Sequence, residues 1–419
     1  MEIVIKTLEY LDNLRLYPKI KTVSSPPKPV VRIDGRNLHM FCSNNYLNLA
    51  THPRVIKSNV EGTKNFGTGA GGSRLISGST DLHKELEKVI SELKNCEDSL
   101  VFSSGYLANL GVISAMAAPA RSVAKELTMN MLYSLKNETV IFNDELNHAS
   151  IIDACKIANV AHIRYKHVDM NDLREKLKKN RNKRKIIISD GVFSMDGNIA
   201  PLPEIVALAE EFQAITIIDD AHATGILGEN GRGTAEYFNL KGKVDLEMGT
   251  LNKVFAGVGG FVSGNTDLCR FLRVASRSYI FSAAMPPGVA SGLITAIKIF
   301  REEPGLRNRL LKNVEYFQSG LKKIGIHVKY YPTPIIPIII GDESIAMSIA
   351  EELFKKGFFI PAIRWPAVPK GKARLRITVM TEHTTEQIDG LITELEELLE
   401  KYGVKNNPVH LKTLITHNV

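Results

Sequence analysis

Apolar and polar residues alternate along this chain with two periods that take turns. The short runs "DSLVFSS", "ETVIFND", "KIIISDGVF", "AITIIDDAH" and "VDLEMGT", dense in β-branched and apolar residues, read as buried strands. Between the third and fourth, "LPEIVALAEEF" sets Ile205, Val206, Leu208, Ala209 and Phe212 on one face at helical spacing. Buried strands separated by amphipathic helices predict βαβ units, hence an α/β fold with a large, mainly parallel sheet.

Beyond about Pro286 the pattern changes. A helical stretch leads to "TPIIPIIIGD", the helix "ESIAMSIAEELFKKG", the strand "ARLRITVM" and a last helix through "EQIDGLITELEELLEKY". This predicts a smaller α+β C-terminal domain. At the other end, "MEIVIKTLEYLDNLRLYPK" reads as an amphipathic helix, and Glu2, Glu9 and Asp12 argue against a signal peptide. "SSPPKPVVRIDGRNL" is Pro-rich, then strand-like around a "DG" turn, and reads as a linker. The expected organisation is an N-terminal helix and linker over residues 1–36, a large domain over 37–290, a small domain over 291–405 and a tail over 406–419.

The 419 residues give room for both domains, and 44% hydrophobic with 23% charged residues is the balance of an ordinary globular enzyme. A net charge of +8 invites an anionic partner, but much of it lies in "REKLKKNRNKRK", which reads as an exposed helix end and loop. Without zinc spacing or interleaved aromatics, nucleic acid is not an expected partner. Cys42, Cys96, Cys155 and Cys269 form no CxxC pair, which fits reduced thiols in a cytoplasmic protein and no metal site. No apolar run approaches the roughly 20 residues that span a bilayer.

Candidate chemistry gathers where such sheets bind ligands, at the carboxyl ends of strands. "SSGYLANLGVISAM" joins a strand end to a helix whose free N–H groups suit a phosphate, although an ordinary strand–helix turn reads the same way. "NDELNHASIIDA" puts His148 where an imidazole can stack on a ring or cap the next helix. In "IIDDAHATG", Asp219 and His222 stand three apart. A carboxylate held against a pyridine nitrogen keeps it protonated and makes the ring an electron sink, while a lone acid there is more often a turn residue. "MGTLNKVFAGVGG" sets Lys253 among small and apolar residues. A buried lysine has a lowered pKa, so its free amine is available near neutrality to attack an aldehyde.

Together "FCSNNYLNLA", "GTGAGGSRLISGST", "HKELE", "DELNHASIIDA", "GVFSMDGNIAPLPEI", "DDAHATGILGENGRG", "MGTLNK" and "ARLRIT" resemble the α-oxoamine synthases, over roughly Val30 to Tyr402. The resemblance implies a fold type I, aminotransferase-like architecture, pyridoxal 5'-phosphate as cofactor, and a homodimer with the active site at its interface. It implies that Lys253 forms the Schiff base, that Asp219 pairs with the ring nitrogen, and that His222 and Ser194 contact the phenolic oxygen while His148 stacks on the ring. Gly105 and Tyr106 would offer backbone donors to the phosphate, with Thr250 adding its hydroxyl. Asn44 and Arg376 would hold the amino-acid carboxylate, and freed Lys253 would be the base.

The reaction implied is decarboxylative condensation of a small L-amino acid with an acyl-CoA or acyl-carrier-protein thioester. "PAIRWPAVPKGKARLRIT" resembles the branch of the family that joins alanine to a pimeloyl thioester, and the resemblance implies those substrates. "PKGKAR" and "GENGRG" also resemble the glycine C-acetyltransferase branch, and "GTGAGGSR" some serine palmitoyltransferases. Rival readings are transamination or simple decarboxylation on the same cofactor, and a non-catalytic scaffold subunit, which Lys253 argues against. Three departures stand out: Asn48 where a Gly is usual, Ala283 where a hydroxyl often reaches the phosphate across the dimer, and a long connection from Ala117 to Asn137. Strand alternation in "ARLRIT" sets Arg374 and Arg376 on one face. One of them is expected to reach the crevice, and the resemblance picks Arg376.

Overall fold

The computed structural model describes residues 1–13, 17, 20–118 and 138–404; the long connection from residue 119 onward and the expected tail lie outside the described residues. The chain enters through a hairpin, β1 (Val30–Ile33) and β2 (Arg36–Met40). Then β3 (Asp98–Phe102), β4 (Thr139–Asp144), β5 (Ala161–Tyr165), β6 (Arg184–Asp190), β7 (Ala214–Asp219), β8 (Leu246–Thr250) and β9 (Gly260–Gly264) build one sheet in the order β3-β9-β8-β7-β6-β4-β5. Strands β5, β4, β6, β7 and β8 run parallel, and β9 is antiparallel to both its neighbours.

All five strand-like runs are strands of this sheet. Two further strands had weaker local signals. The edge strand β5, "AHIRY", is mostly solvent-exposed, and β9, "GFVSG", is glycine-rich. The parallel register aligns Asp190 with Asp219 and Asp219 with Met248, so the carboxyl ends of β6, β7 and β8 finish level. Helix Leu202–Phe212 buries Ile205, Val206, Leu208, Ala209 and Phe212, as its spacing predicts. Helix Gly105–Ala117 is apolar on nearly every side, and its Ala108, Val112, Ile113 and Met116 are buried.

The smaller unit has its own core around β10 (Ile335–Gly341), β12 (Ala362–Ile363) and β13 (Ala373–Thr378), packed on helices Gly305–Lys323, Glu343–Lys355 and Thr385–Lys401. The boundary expected between 290 and 291 falls inside helix Pro287–Glu302. That helix packs along helices Pro53–Phe66 and Asp81–Lys94, and its Leu293, Ile297 and Phe300 share a core with Leu86 and Ile90. By packing it belongs with the large sheet.

The expected linker is also revised. The β1–β2 hairpin pairs with β11 (Phe358–Phe359), and its Val31, Ile33, Leu38 and Met40 pack with Met380. Alternate apolar positions give the hairpin a face to bury, so it docks on the C-terminal half. Its Asp34–Gly35 turn has φ of 51° and 76°, the left-handed pair that a tight hairpin requires. The basic run is only partly a solvated loop: Lys185 lies in β6, buried, with Nζ donating to the carbonyls of Arg181 and Lys183. Helix Glu2–Asn13 forms as expected and has no buried residue.

Candidate active site

Alternation at the end of β7 sends Asp219 and the following Asp220 to opposite sides. Asp220 turns into the body. Its Oδ1 accepts from Thr234 Oγ1 at 2.6 Å, and its Oδ2 from Thr234 N at 3.0 Å and Lys94 Nζ at 3.1 Å. Lys94 also meets Glu247 Oε2 at 2.7 Å, and its ammonium is fully buried. Burial works to lower its pKa, but the carboxylates of Glu247 and Asp220 overcome this and raise it. With the turn anchored from behind, Asp219 faces the crevice. Its Oδ1 accepts from Ala221 N at 2.9 Å and its Oδ2 from Asn109 Nδ2 at 2.7 Å.

Lys253 stands in the turn after β8, shaped by bonds from Leu251 N to the Gly259 carbonyl and from Ala256 N to the Lys253 carbonyl. Burial lowers its ammonium to about 8, against the opposing charges of Asp219 and Asp190 and with the help of Arg376. Asp190, level with Asp219 on β6, is raised well above the usual carboxylate range by burial and by the charge of Asp219. Its Oδ2 accepts from His148 N at 3.0 Å.

Of the two roles its position allows, His148 takes the cap. Its Nδ1 accepts from Ser150 N at 3.2 Å, capping helix Ala149–Ala158, while the ring shares the field of Asp219 and Lys253. Burial lowers its pKa. His222 is buried, with Nδ1 at 2.8 Å from Tyr46 Oη. Burial first, then the charges of Lys253 and Arg376, hold it well below the ordinary imidazole value.

At the start of helix Gly105–Ala117, Ser104 Oγ caps the N–H of Leu107 at 3.1 Å. The N–H groups of Gly105 and Tyr106 find no protein acceptor among the described residues. A Cβ on Gly105 would stand 3.2 Å from Thr250 Cβ, and one on Gly260 only 2.5 Å from Gly105 Cα. The two glycines therefore let the ends of β8 and β9 converge on the helix terminus. Thr250 Oγ1 is in contact with Asn252, and Tyr106 Oη donates to Asp153 at 2.7 Å.

The two arginines of β13 share a face but not a role. Arg374 Nη1 pairs with Asp196 Oδ1 at 2.6 Å. Arg376 Nε donates to the Ser194 carbonyl at 2.5 Å and its Nη2 to Asn44 Oδ1 at 3.3 Å, and Arg376 has no ion pair among the described residues. Its charge is uncommitted. Tyr46 Oη lies 3.0 Å from the same Asn44 oxygen, tying Asn44, Tyr46, His222 and Arg376 together. Asn48, where a Gly is usual, has φ of 58°, a left-handed conformation that Asn tolerates better than most residues. Ala283 contributes a carbonyl, which accepts from Ser103 Oγ at 2.6 Å.

The structure thus brings Lys253, Asp219, His148, His222, Asn44 and Arg376 together, with the backbone of Ser194 on Arg376 and the helix start at Gly105 and Tyr106 against Thr250. Reading the sequence missed Tyr46, Asn109, Ser150 and Asp190. Asn109 alone had a legible signal, since a mid-helix Asn in an apolar helix is out of place unless its amide has work there.

Residues 36–395 match the family described as Aminotransferase class I and II. The chain is similar to 8-amino-7-oxononanoate synthase of Lysinibacillus sphaericus, 44% identical over 95% of this chain and 98% of that one. It is similar as well to 8-amino-7-oxononanoate synthase 1 of Bacillus subtilis (strain 168), 41% identical over 90% and 92%. Among solved structures, serine palmitoyltransferase from S. paucimobilis with a bound PLP–myriocin aldimine superposes with a TM-score of 0.86 at 30% identity, covering 96% and 98%. The 8-amino-7-oxononanoate synthase of Francisella tularensis superposes with a TM-score of 0.72 at 25% identity, covering 87% and 98%.

Proposed function

The chain belongs to the class I and II aminotransferase family, in its α-oxoamine synthase branch, and from that premise we propose that it condenses L-alanine with a pimeloyl thioester of CoA or a carrier protein. The products are 8-amino-7-oxononanoate, carbon dioxide and the free thiol. The observation that carries the reaction class is the meeting of a lysine lowered to about 8, a buried carboxylate and an arginine with no ion pair among the described residues. The choice of substrates rests on relatives 40–44% identical over nearly the full chain that bear the synthase name.

Pyridoxal 5'-phosphate is the cofactor, and the residues present fit it. The unpartnered N–H groups of Gly105 and Tyr106 and the hydroxyl of Thr250 suit its phosphate, in a cradle that a Cβ at Gly105 would fill. Asp219 would hold the ring nitrogen, His222 and Ser194 the phenolic oxygen, and His148 one ring face. When bound, the cofactor supplies an electron sink for charge developing at the amino acid's α-carbon.

The chain's own groups do the rest. Arg376 and Asn44 receive the substrate carboxylate, the guanidinium offering a planar fork that matches it. That contact fixes which bond at the α-carbon is broken. Lys253, once freed, takes the α-proton and later returns one, a task suited to an amine titrating near neutrality. Asp219 keeps a proton on the ring nitrogen throughout.

The enzyme works as a cytoplasmic homodimer on this reading. Support comes from the exposed Ile3, Val4, Ile5 and Leu8 of a helix without buried residues, and from exposed Leu75, Ile76 and Phe281 on the segments bridged through Ser73 and Ala283. All four cysteines are free, and no helix among the described residues is long and apolar enough to cross a membrane.

A second reading, condensation of serine with a long acyl chain, has the better structural superposition, 0.86 against 0.72. A product screen by mass spectrometry, crossing alanine, glycine and serine with acetyl-, pimeloyl- and palmitoyl-CoA, separates the two. Alanine with pimeloyl-CoA is expected to dominate. Dominance of serine with palmitoyl-CoA would sink the first reading.

A further inference from the structure

Asn109 lies in the second turn of helix Gly105–Ala117, 2% exposed, where alanine would be the better helix former. Its Nδ2 donates to Asp219 Oδ2 at 2.7 Å and to Ser150 Oγ at 2.9 Å, so both amide protons are used. Ser150 Oγ, already an acceptor, has one proton of its own, and the nearest acceptor is His148 Nδ1 at 2.7 Å. His148 Nδ1 also receives the N–H of Ser150. It is therefore an acceptor, and in the neutral imidazole the ring proton sits on Nε2.

The direction of every bond in this chain follows from one end. Turning the amide round would set its oxygen against the carboxylate of Asp219, two acceptors face to face. The observed orientation instead leaves Asn109 Oδ1 buried without a partner among the described residues, a cost that a purely structural asparagine has no reason to carry. The same amide that steadies Asp219 thus dictates, through Ser150, which nitrogen of His148 holds the proton.

We propose that Asn109 is a positioning residue that couples the carboxylate of Asp219 to the tautomer of His148 by way of Ser150. This rests on the pyridoxal phosphate reading of the site, in which those two side chains hold the ring nitrogen and cover one ring face. Asn109 touches neither substrate nor cofactor. Its influence is on the charge that Asp219 presents and on the face that His148 turns to the crevice.

The test uses the full chain loaded with pyridoxal phosphate, without acyl donor, and follows the visible absorbance band of the bound cofactor against pH. In Asn109→Ala the carboxylate loses one of its two N–H donors and becomes more basic, drawing the ring proton toward itself. The ring then withdraws less charge from the Lys253 nitrogen, which keeps its proton to higher pH. The midpoint of the titration is expected to rise by about one pH unit, tenfold in proton affinity, the weight of one charge-assisted bond. The near-isosteric Asn109→Leu, which removes the same N–H donor without opening a cavity, is expected to move the midpoint as far. Ser150→Ala breaks only the imidazole arm. It is expected to leave the midpoint within about 0.3 pH units of the parent while, in a separate turnover assay with acyl donor, lowering kcat several-fold at unchanged KM for the amino acid. An unmoved midpoint in both Asn109 variants overturns the proposal, and so does an equal shift in Ser150→Ala. A parent protein with no visible band would instead fault the cofactor reading.

Discussion

Two residues spaced two apart on one strand can have opposite fates, and Arg374 and Arg376 show why. Arg374 is neutralised by Asp196, whereas Arg376 is held by the Ser194 carbonyl and Asn44 and has no ion pair among the described residues. Arg376→Leu is expected to raise the alanine concentration that half-shifts the cofactor spectrum roughly 10- to 150-fold, the weight of a charged fork on a carboxylate. Arg374→Leu should change that titration little, and a reversed pair of effects would move the carboxylate site to Arg374. Lys253 carries a second expectation. Capture of pyridoxal phosphate by the cofactor-free protein should accelerate with pH and level off above about 8, as the free amine becomes the main form. Its sign for stability is set by the same shift. Below about 8 the group is protonated folded and unfolded alike, but from there to its usual 10.5 only the unfolded chain retains the proton. Stability of the cofactor-free protein should therefore gain from this group as pH rises through that window. Denaturant midpoints that rise no more for the parent than for Lys253→Met would contradict it.

Among the elements, the strand ends are precise because of what lies behind them. The turn after β7 is clamped by Thr234 and by Lys94, whose ammonium is shared between Asp220 and Glu247 with no exposure to solvent. Removing the cation leaves the buried carboxylate of Asp220 and the partly buried one of Glu247 uncompensated. Lys94→Ala should cost about 3–5 kcal/mol in urea unfolding, and a loss under about 1 kcal/mol would mean the cluster is poorly coupled to the fold. On the crevice side, the approach of the β8 end to helix Gly105–Ala117 leaves room for a glycine at 105 and little more. Gly105→Ala is expected to weaken pyridoxal phosphate binding by about 1–3 kcal/mol, the usual cost of overpacking a tight site. Unchanged affinity by equilibrium dialysis would place the phosphate elsewhere.

For the molecule as a whole, the proposed carboxylate site draws on three places: Asn44 after the N-terminal hairpin, Ser194 beyond β6, and Arg376 on the sheet of the smaller unit. The exposed apolar residues of helix Glu2–Asn13 and of the segments around Ser73 and Ala283 point to a covered surface. Light scattering at micromolar concentration should return twice the 46.4 kDa of one chain. A single-chain mass would remove the homodimer from the reading.

The sequence by itself determined the parts whose signal is local. The five strand runs, helix Leu202–Phe212 and the tight Asp34–Gly35 turn follow from periodicity and turn chemistry within a few residues. Lys253 stood out because a lysine among small residues is locally anomalous, whereas Asp219, an acid where a turn residue is common, drew its expected role from the resemblance. Only the tertiary structure decided the rest. β9 enters the sheet antiparallel, the hairpin pairs with β11, and helix Pro287–Glu302 sides with the large sheet. The amide of Asn109 finds Asp219 across 110 residues of chain. Such choices are set by which surfaces bury one another and in what register, and no stretch of residues carries that information alone.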